Sequence, residues 1–311
     1  MITIKTTMNK YEAFEKLKDY SKNLNTVLYE EIYNLLKNGI GKIPLPLAKV
    51  RLNAHIDRAR ANNGVELFKH INDLGYIKDK NVIDNVLTSF GRANCPHQVM
   101  FYGALETSLI DKQRLTAIAE TSHVFRVAGT DCVEGKHYTV SRWETQKEFL
   151  VVEVVFSEYA LKNNPEIADS FEKQKKMLQE HNLPQKEMDF QLEFLKFISE
   201  QFSKKVTDPD EYKISVAYTN LALLHPDVSG ITYPSVQTEY FGVNIVLPTE
   251  TVDKYIKPIV SSTQIIYKKG QKSLIANGGH FCDNIKTTES IRWKNETMLT
   301  NKEDAINYIN S

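Results

Sequence analysis

The stretch of sequence that says most about the fold runs from residue 91 to residue 121 and reads GRANCPHQVMFYGALETSLIDKQRLTAIAET. It begins with a Gly-Arg-x-Asn turn signal, continues in an apolar run at 98–103, and ends with apolar and small residues at helical spacing. The pattern predicts loop, strand, loop and helix, in that order. Outward from it, β-rich runs and helices mix without regular βαβ alternation, which predicts an α+β fold rather than a doubly wound sheet.

Short β-rich runs flank this stretch on both sides. The run at 149–156 gives the strongest strand signal, because it is too apolar and too β-branched for a surface helix. A hairpin is predicted to close at Lys269-Gly270. The predicted strands are 98–103, 138–144, 149–156, 242–247, 263–268 and 272–276.

Composition shifts divide the chain into three parts. Residues 1–46 are predicted to form an N-terminal helical extension with two short amphipathic helices, 47–290 the main domain, and 291–311 a C-terminal tail. A segment at about 158–205, rich in Lys, Glu and Gln, is predicted to be a helical insertion. Pro184 separates its two helices, and the second has an apolar stripe formed by Phe190, Phe194, Leu195, Ile198 and Phe202.

The charge balance excludes some classes of partner. The 311 residues include 39 Lys plus Arg and 39 Asp plus Glu, so the sequence predicts neither nucleic-acid binding by the chain itself nor a membrane anchor. The 3 cysteines are far apart and no signal peptide or long apolar run is visible, which predicts a reduced, cytoplasmic protein. No His or Cys spacing is typical of a metal site, so none is predicted.

Three arginines and a tyrosine are candidate ligand-binding residues. Arg58 and Arg60 alternate in an extended segment and would share a side, which suits a diphosphate clamp. An ordinary solvated arginine pair is the alternative. Arg92 lies in a turn that can present its guanidinium to an anion. Tyr102 ends a strand beside Gly103, and its position taken alone favours a core or rim tyrosine over a ligand contact.

A carboxylate and a serine are candidate catalytic residues. If residues 115–121 are helical, Leu115, Ile118 and Ala119 share a buried stripe and Glu120 lies beside it. Placing a charged carboxylate against apolar residues costs free energy unless another group hydrogen-bonds to it, so such a carboxylate is a candidate functional residue. Ser235 follows a Tyr-Pro pair without a nearby His or Lys, so it is read as a residue that orients a ligand or caps a turn.

The order of these clusters along one chain resembles a known family. Arg-x-Arg, Gly-Arg-x-Asn, Phe-Tyr-Gly, Thr-Ala-x-Ala-Glu, Gly-Ile-x-Tyr-Pro-Ser and Gly-x-Asn follow one another over roughly residues 50–250, as in the RES domain. The resemblance implies an ADP-ribosyltransferase-like core of two small mixed β-sheets that pinch a dinucleotide, with flanking helices. It also implies a toxin of a toxin–antitoxin pair, or a defence effector, that degrades NAD⁺ and is silenced by an Xre-type antitoxin protein.

The resemblance further assigns roles to residues of this chain. It implies that either Arg58 or Arg60 is the family's first arginine. The implied catalytic set is Glu120, Arg92 and Ser235, and the implied NAD⁺-binding set is Arg58, Arg60, Arg92, Tyr102, Ser235 and Asn244. NAD⁺ is then the substrate and no cofactor is needed.

The chemistry implied is cleavage of the nicotinamide–ribose bond. Nicotinamide leaves without a strong general acid, and the ribose passes through an oxocarbenium-like state that a carboxylate stabilises. The expected activity is that of an NAD⁺ glycohydrolase or phosphorylase. The alternative is an ADP-ribosyltransferase that modifies a specific protein target, so the acceptor stays open between water, phosphate and protein.

Overall fold

The computed structural model describes residues 8–110, 112–127, 129–283, 285 and 290–311. In chain order its helices and strands are α1 (Lys10–Tyr20), α2 (Tyr29–Asn34), β1 (Leu47–Val50), β2 (His55–Ala61), α3 (Lys80–Asn85), β3 (Met100–Leu105), α4 (Arg114–Thr121), α5 (His123–Arg126), β4 (Cys132–Thr145), β5 (Phe149–Glu153), α6 (Glu158–Asn163), α7 (Pro165–Glu180), α8 (Gln185–Ser203), α9 (Lys213–Ala222), β6 (Val228–Pro234), β7 (Val243–Pro248), α10 (Thr249–Tyr255), β8 (Ile256–Lys269), β9 (Lys272–Cys282), β10 (Lys294–Asn295) and α11 (Lys302–Asn310).

These elements fall into two compact units. The first unit comprises the described parts of Met1–Lys49, Asp79–Met100 and Leu150–Val236, and the second those of Val50–Lys78, Phe101–Phe149 and Gln237–Ser311. Parallel pairing occurs between β5 and β6 in the first unit, whereas the pairs along β2, β4, β8 and β9 in the second are antiparallel. The chain is therefore a mixed α/β protein.

The first unit is built around the helices of the predicted insertion. The apolar stripe of α8 is buried as predicted, and Phe14 of α1 packs on it with ring centroids 5.6 Å from Phe190 and 5.5 Å from Phe194. Helix α1 begins with a capping box, in which Asn9 accepts from the backbone N–H of Glu12 while the Glu12 carboxylate accepts from that of Asn9. Helix α1 thus shares one apolar core with the insertion.

The second unit contains a sheet whose neighbouring pairs from β3 through to β10 are antiparallel. Its strands follow the order β7-β3-β2-β4-β8-β9-β10. Helix α4 packs on one face, where Ala117 and Ile118 meet Ala59, Ala104 and Val140. The predicted hairpin is confirmed, because β8 and β9 pair up to Lys269 opposite Lys272 and Gly270 adopts a φ of +56° in the turn.

Several elements differ from the sequence prediction. Strands β2 and β6 and helices α9 and α11 were not predicted; β2 was read only as an extended segment. The sequence HIDRARA of β2 lacks an apolar run, since its arginines alternate with alanine. Residues 1–7 of the predicted extension and residues 111, 128, 284 and 286–289 of the predicted domain lie outside the described residues.

Candidate functional site

The predicted site residues are divided between the two units. Arg92 and Ser235 belong to the first unit. The other five belong to the second: Arg58, Arg60, Tyr102, Glu120 and Asn244.

The pairing between strands β2 and β3 ends close to the candidate residues Arg58 and Tyr102 and to Thr121, which follows Glu120. The 7 residues of β2 all pair with β4, but β2 and β3, which are both fully described, pair only at Ile56 with Leu105 and at Asp57 with Ala104. In the same register, the next hydrogen-bonded pair would join Ala59 to Tyr102. Instead, the backbone carbonyls of Tyr102 and Ala59 accept hydrogen bonds from side chains. Arg58 Nη1 donates to the Tyr102 oxygen at 2.7 Å, and Thr121 Oγ1 donates to the Ala59 oxygen at 3.3 Å. We call this place, bounded by Arg58, Ala59, Tyr102 and Thr121, the β2–β3 opening.

Arg58 brings a buried positive charge to the opening. Its guanidinium carbon lies 5.0 Å from the centroid of the Phe101 ring, and its Nε is buried without a hydrogen-bond partner among the described residues. Burial, and then the positive charge of Arg60, lower the pKa of Arg58 to about 9, so the group is still charged at neutral pH. A buried cation that is not paired with a carboxylate is costly, and a bound anion would relieve that cost.

Arg60 lies two residues further along the same side of β2. Its guanidinium donates to the backbone carbonyl of Asp73 and lies 5.4 Å from the centroid of the Phe68 ring. Burial lowers the pKa of Arg60, and the Asp73 carboxylate offsets part of this effect. Neither Arg58 nor Arg60 forms an ion pair with a carboxylate within the part of the chain that the structure describes. The pair is therefore not an ordinary solvated pair.

Glu120 is held by an amide from a distant strand. Asn244 of β7, which is almost fully buried, donates from Nδ2 to Glu120 Oε1 at 2.8 Å. Glu120 directly precedes Thr121, the α4 residue that bounds the β2–β3 opening. An amide donor stabilises the charged form of a carboxylate and fixes its orientation.

The apolar stripe of α4 is only partly as predicted. Leu115 is 40% exposed, whereas Thr116, Ala117 and Ile118 are buried. The expectation that Leu115 belongs to the stripe was wrong, because α4 packs on β2 and β4 through Ala117 and Ile118. Glu120 is half-buried beside that contact, as predicted.

A glycine sets the spacing between α4 and β7. A Cβ placed on Gly242 would lie 2.2 Å from Thr116 Oγ1, which is closer than any contact allows. Thr116 and Glu120 are one turn apart on α4. Gly242 directly precedes β7, and Asn244, two residues later, lies in it on the same side. The close approach at Gly242 therefore brings Asn244 within hydrogen-bond distance of Glu120.

Arg92 is engaged with the end of a helix in the first unit. Its Nη1 donates to the carbonyl of Phe202 at 2.6 Å, and Nη1 and Nη2 both lie 3.2 Å from the carbonyl of Lys204. The guanidinium carbon also lies 4.9 Å from the centroid of the Tyr212 ring. A cation that bonds the last carbonyls of α8 stabilises the helix end. These contacts give Arg92 a structural role whatever else it binds.

Ser235 and Tyr102 are placed differently from each other. Ser235 is fully buried between the end of β6 and a short 3₁₀ turn at Val236–Thr238. Tyr102 is half-buried within β3, and its backbone carbonyl rather than its ring is what Arg58 contacts. The Tyr233 ring, two residues before Ser235, lies 5.9 Å from the Arg92 guanidinium carbon, so these two predicted clusters meet in the first unit.

The second unit thus contains a cation at the β2–β3 opening and an oriented carboxylate on α4. Helix α4 packs on the Ala59 face of β2, whereas the Arg58 side chain starts from the opposite face, because side chains alternate along a strand. An anion held at Arg58 and positive charge stabilised by Glu120 would therefore have to meet through the opening between β2 and β3. Sequence reasoning missed Thr121, since its role depends on where the β2–β3 pairing ends. Its position next to Glu120 was the one available signal.

Comparison with known proteins adds no assignment. No protein-family model matches the chain, and no curated protein is significantly similar to it. Among the described residues, no helix is long and apolar enough to cross a membrane.

Proposed function

We propose that this protein cleaves the nicotinamide–ribose bond of NAD⁺, as a member of the RES domain family with an ADP-ribosyltransferase-like core. The observation that carries the proposal is the Glu120 carboxylate, oriented by Asn244 at 2.8 Å and directly preceding Thr121, which bounds the β2–β3 opening. At that opening the Arg58 charge has no carboxylate partner among the described residues. No family model or curated protein supports the proposal, which rests on this geometry and on the resemblance of the motif order to the RES domain.

In the proposed mechanism Arg58 binds the diphosphate. A guanidinium forms charge-assisted hydrogen bonds to phosphate oxygens, and the Nη hydrogens of Arg58 that do not bond the Tyr102 carbonyl supply the donors, since Nε is fully buried. Fixing the diphosphate places the nicotinamide ribose at a defined distance from Glu120. Arg60 adds positive charge on the same side of β2, so the two arginines act as a pair although only one of them faces the opening.

Glu120 then stabilises the transition state. As the bond to nicotinamide breaks, positive charge develops on the ribose ring, and a fixed carboxylate lowers the energy of that state. The leaving group is neutral once it has departed, so no general acid is required. Glu120 also orients the attacking water or phosphate through a hydrogen bond.

The biological setting follows from the family resemblance. We propose a cytoplasmic toxin or defence effector, kept inactive by an Xre-type antitoxin protein and acting without membrane or nucleic-acid contacts of its own. Ser235, Tyr102 and Arg92 remain proposed NAD⁺-binding residues, with Arg92 held at the same time by the end of α8.

The proposal is tested by incubating the purified protein with NAD⁺, with and without inorganic phosphate, and following nicotinamide by chromatography. Release in both conditions with ADP-ribose as product indicates hydrolysis, and release that requires phosphate indicates phosphorolysis. Label from NAD⁺ retained on a protein would favour the ADP-ribosyltransferase alternative. Absence of nicotinamide in every condition would overturn the proposal.

A further inference from the structure

A cavity opens in the second unit beyond the C-terminal end of β2. Its volume is about 500 Å³, within the range of small-molecule sites. It is bordered by the segment after β2, by β4, β8 and β9, and by the segment before α11. None of the residues predicted from the sequence lines it.

Part of the cavity wall suits a flat apolar ring, while the charged residues Glu134, Lys136 and Lys302 line the rest. Val65 and Met298 form its rim and Ile265 part of its wall, and the rings of His137 and Tyr267 also line it. Gly135 has a φ of +85°, and a Cβ there would lie 2.8 Å from the Tyr267 ring, so the bare backbone of β4 lies against that ring. Aromatic and apolar walls of this kind stack on planar heterocycles.

Two polar groups that line the cavity have no hydrogen-bond partner among the described residues. They are the Tyr267 hydroxyl and the imidazole of the half-buried His137, and both are accessible to a ligand in the cavity. Burial raises the pKa of Tyr267, so its hydroxyl remains a donor. Burial and the charges of His280 and Lys302 lower the pKa of His137, so its neutral ring offers one donor and one acceptor.

The cavity lies on the same face of the sheet as the side chains of Arg58 and Arg60. Asn62 lines it and lies two residues after Arg60, about 7 Å along the strand and on the same side. Thr139, which pairs with Arg60 in the β2–β4 register, donates to Asn62 Oδ1 at 3.0 Å. A phosphate beside Arg60 would therefore be separated from the cavity by about the length of one ribose.

We propose that this cavity binds the purine nucleoside half of a dinucleotide, with the base between Tyr267, His137 and Met298 and the adjoining phosphate towards Arg60. That the dinucleotide is NAD⁺ rests on the proposed function. The shape and polarity of the cavity stand independently of the cleavage reaction. The cavity then binds the purine nucleoside half of the substrate, which does not react, while the nicotinamide ribose half binds at the β2–β3 opening.

The test measures ADP binding by calorimetry and the KM for NAD⁺ in the full-length protein. Met298→Trp fills the cavity from its rim, and Val65→Trp, at a residue that is 73% exposed, fills it from the other side without disturbing a core. Leu299→Trp is the matched control, because Leu299 is 91% exposed and does not line the cavity. We expect both blocking variants to weaken ADP binding and raise the KM for NAD⁺ at least tenfold, with nicotinamide mononucleotide cleaved at the wild-type rate and Leu299→Trp unchanged.

The outcomes separate this proposal from the cleavage reaction. ADP binding that is lost in both blocking variants supports the cavity proposal even if the wild-type protein never releases nicotinamide. Cleavage of NAD⁺ with ADP affinity and KM unchanged in both folded variants overturns the cavity proposal and leaves the cleavage reaction standing. A wild-type protein that does not bind ADP also overturns it.

Discussion

Asn244 Nδ2 and Glu120 Oε1 are joined by a hydrogen bond of 2.8 Å between two residues that are 124 positions apart in the sequence. The bond ties α4 to β7 and gives the carboxylate one fixed orientation. In the proposed mechanism Asn244 is a positioning residue, since it acts on the substrate through Glu120.

Removing the amide should reduce turnover more than binding. We expect Asn244→Ala to lower kcat about 10- to 100-fold with little change in KM, because a hydrogen bond to a charged group contributes roughly 1.5–3 kcal/mol. Steady-state nicotinamide release measures both constants. Asn163→Ala, at an exposed position on α6, is the control; an Asn244→Ala variant with wild-type kcat would remove Asn244 from the mechanism.

Asn244→Asp should make activity depend on pH in a defined direction. A second carboxylate beside Glu120 raises the pKa at which the pair takes up a proton. At acidic pH the shared proton restores a hydrogen bond between the two groups, whereas at neutral pH both are charged and repel each other. The activity of the variant relative to wild type should therefore fall as pH rises, and a flat ratio would contradict this account.

Arg58 should contribute to affinity through its fork of donors. Arg58→Lys keeps the charge but loses the planar group that bonds the Tyr102 carbonyl and still has Nη hydrogens for a ligand. We expect kcat/KM for NAD⁺ to fall about 30-fold, equivalent to about 2 kcal/mol. Arg126→Lys, at an exposed position on α5, serves as the matched control and should be unchanged. Equal activity of Arg58→Lys and wild type would exclude a diphosphate contact at Arg58.

Arg92 should prove important for stability. Arg92→Lys cannot bond the carbonyls of Phe202 and Lys204 as a fork, so we expect the free energy of unfolding to fall by about 1–3 kcal/mol. Denaturant titration measures this change. A variant with wild-type stability but a raised KM would instead assign Arg92 to the substrate alone.

His137 should make stability sensitive to mild acid. Its pKa in the folded protein is below the value of 6.5 for the free side chain, owing to burial, His280 and Lys302. Between the two values the unfolded chain binds more protons, so stability rises with pH through this window and is lost as pH falls below 6.5. Between pH 7 and the lowered pKa of His137, the free energy of unfolding of His137→Asn should fall by less than that of wild type. His181→Asn, at an exposed position, should follow the wild-type curve.

Local patterns predicted the elements whose own periodicity is strong. The stripe of α8 and the β8–β9 hairpin could be read from the sequence, because each depends on residues close together in the chain. The polar strand β2 could not, since the neighbouring β4 rather than its own composition makes it a strand. The β2–β3 opening and the Asn244–Glu120 bond depend on where one register ends and on a glycine contact, and neither has a local signature.

The central claim is that Glu120 catalyses cleavage of NAD⁺, and the most direct measurement compares nicotinamide release by wild type, Glu120→Gln and the exposed control Glu172→Gln under saturating NAD⁺. The glutamine keeps the size of the side chain but cannot stabilise positive charge on the ribose. We expect Glu120→Gln to bind NAD⁺ with wild-type affinity and to release nicotinamide about 100-fold more slowly, with Glu172→Gln unchanged. Release by Glu120→Gln at the wild-type rate would contradict the account.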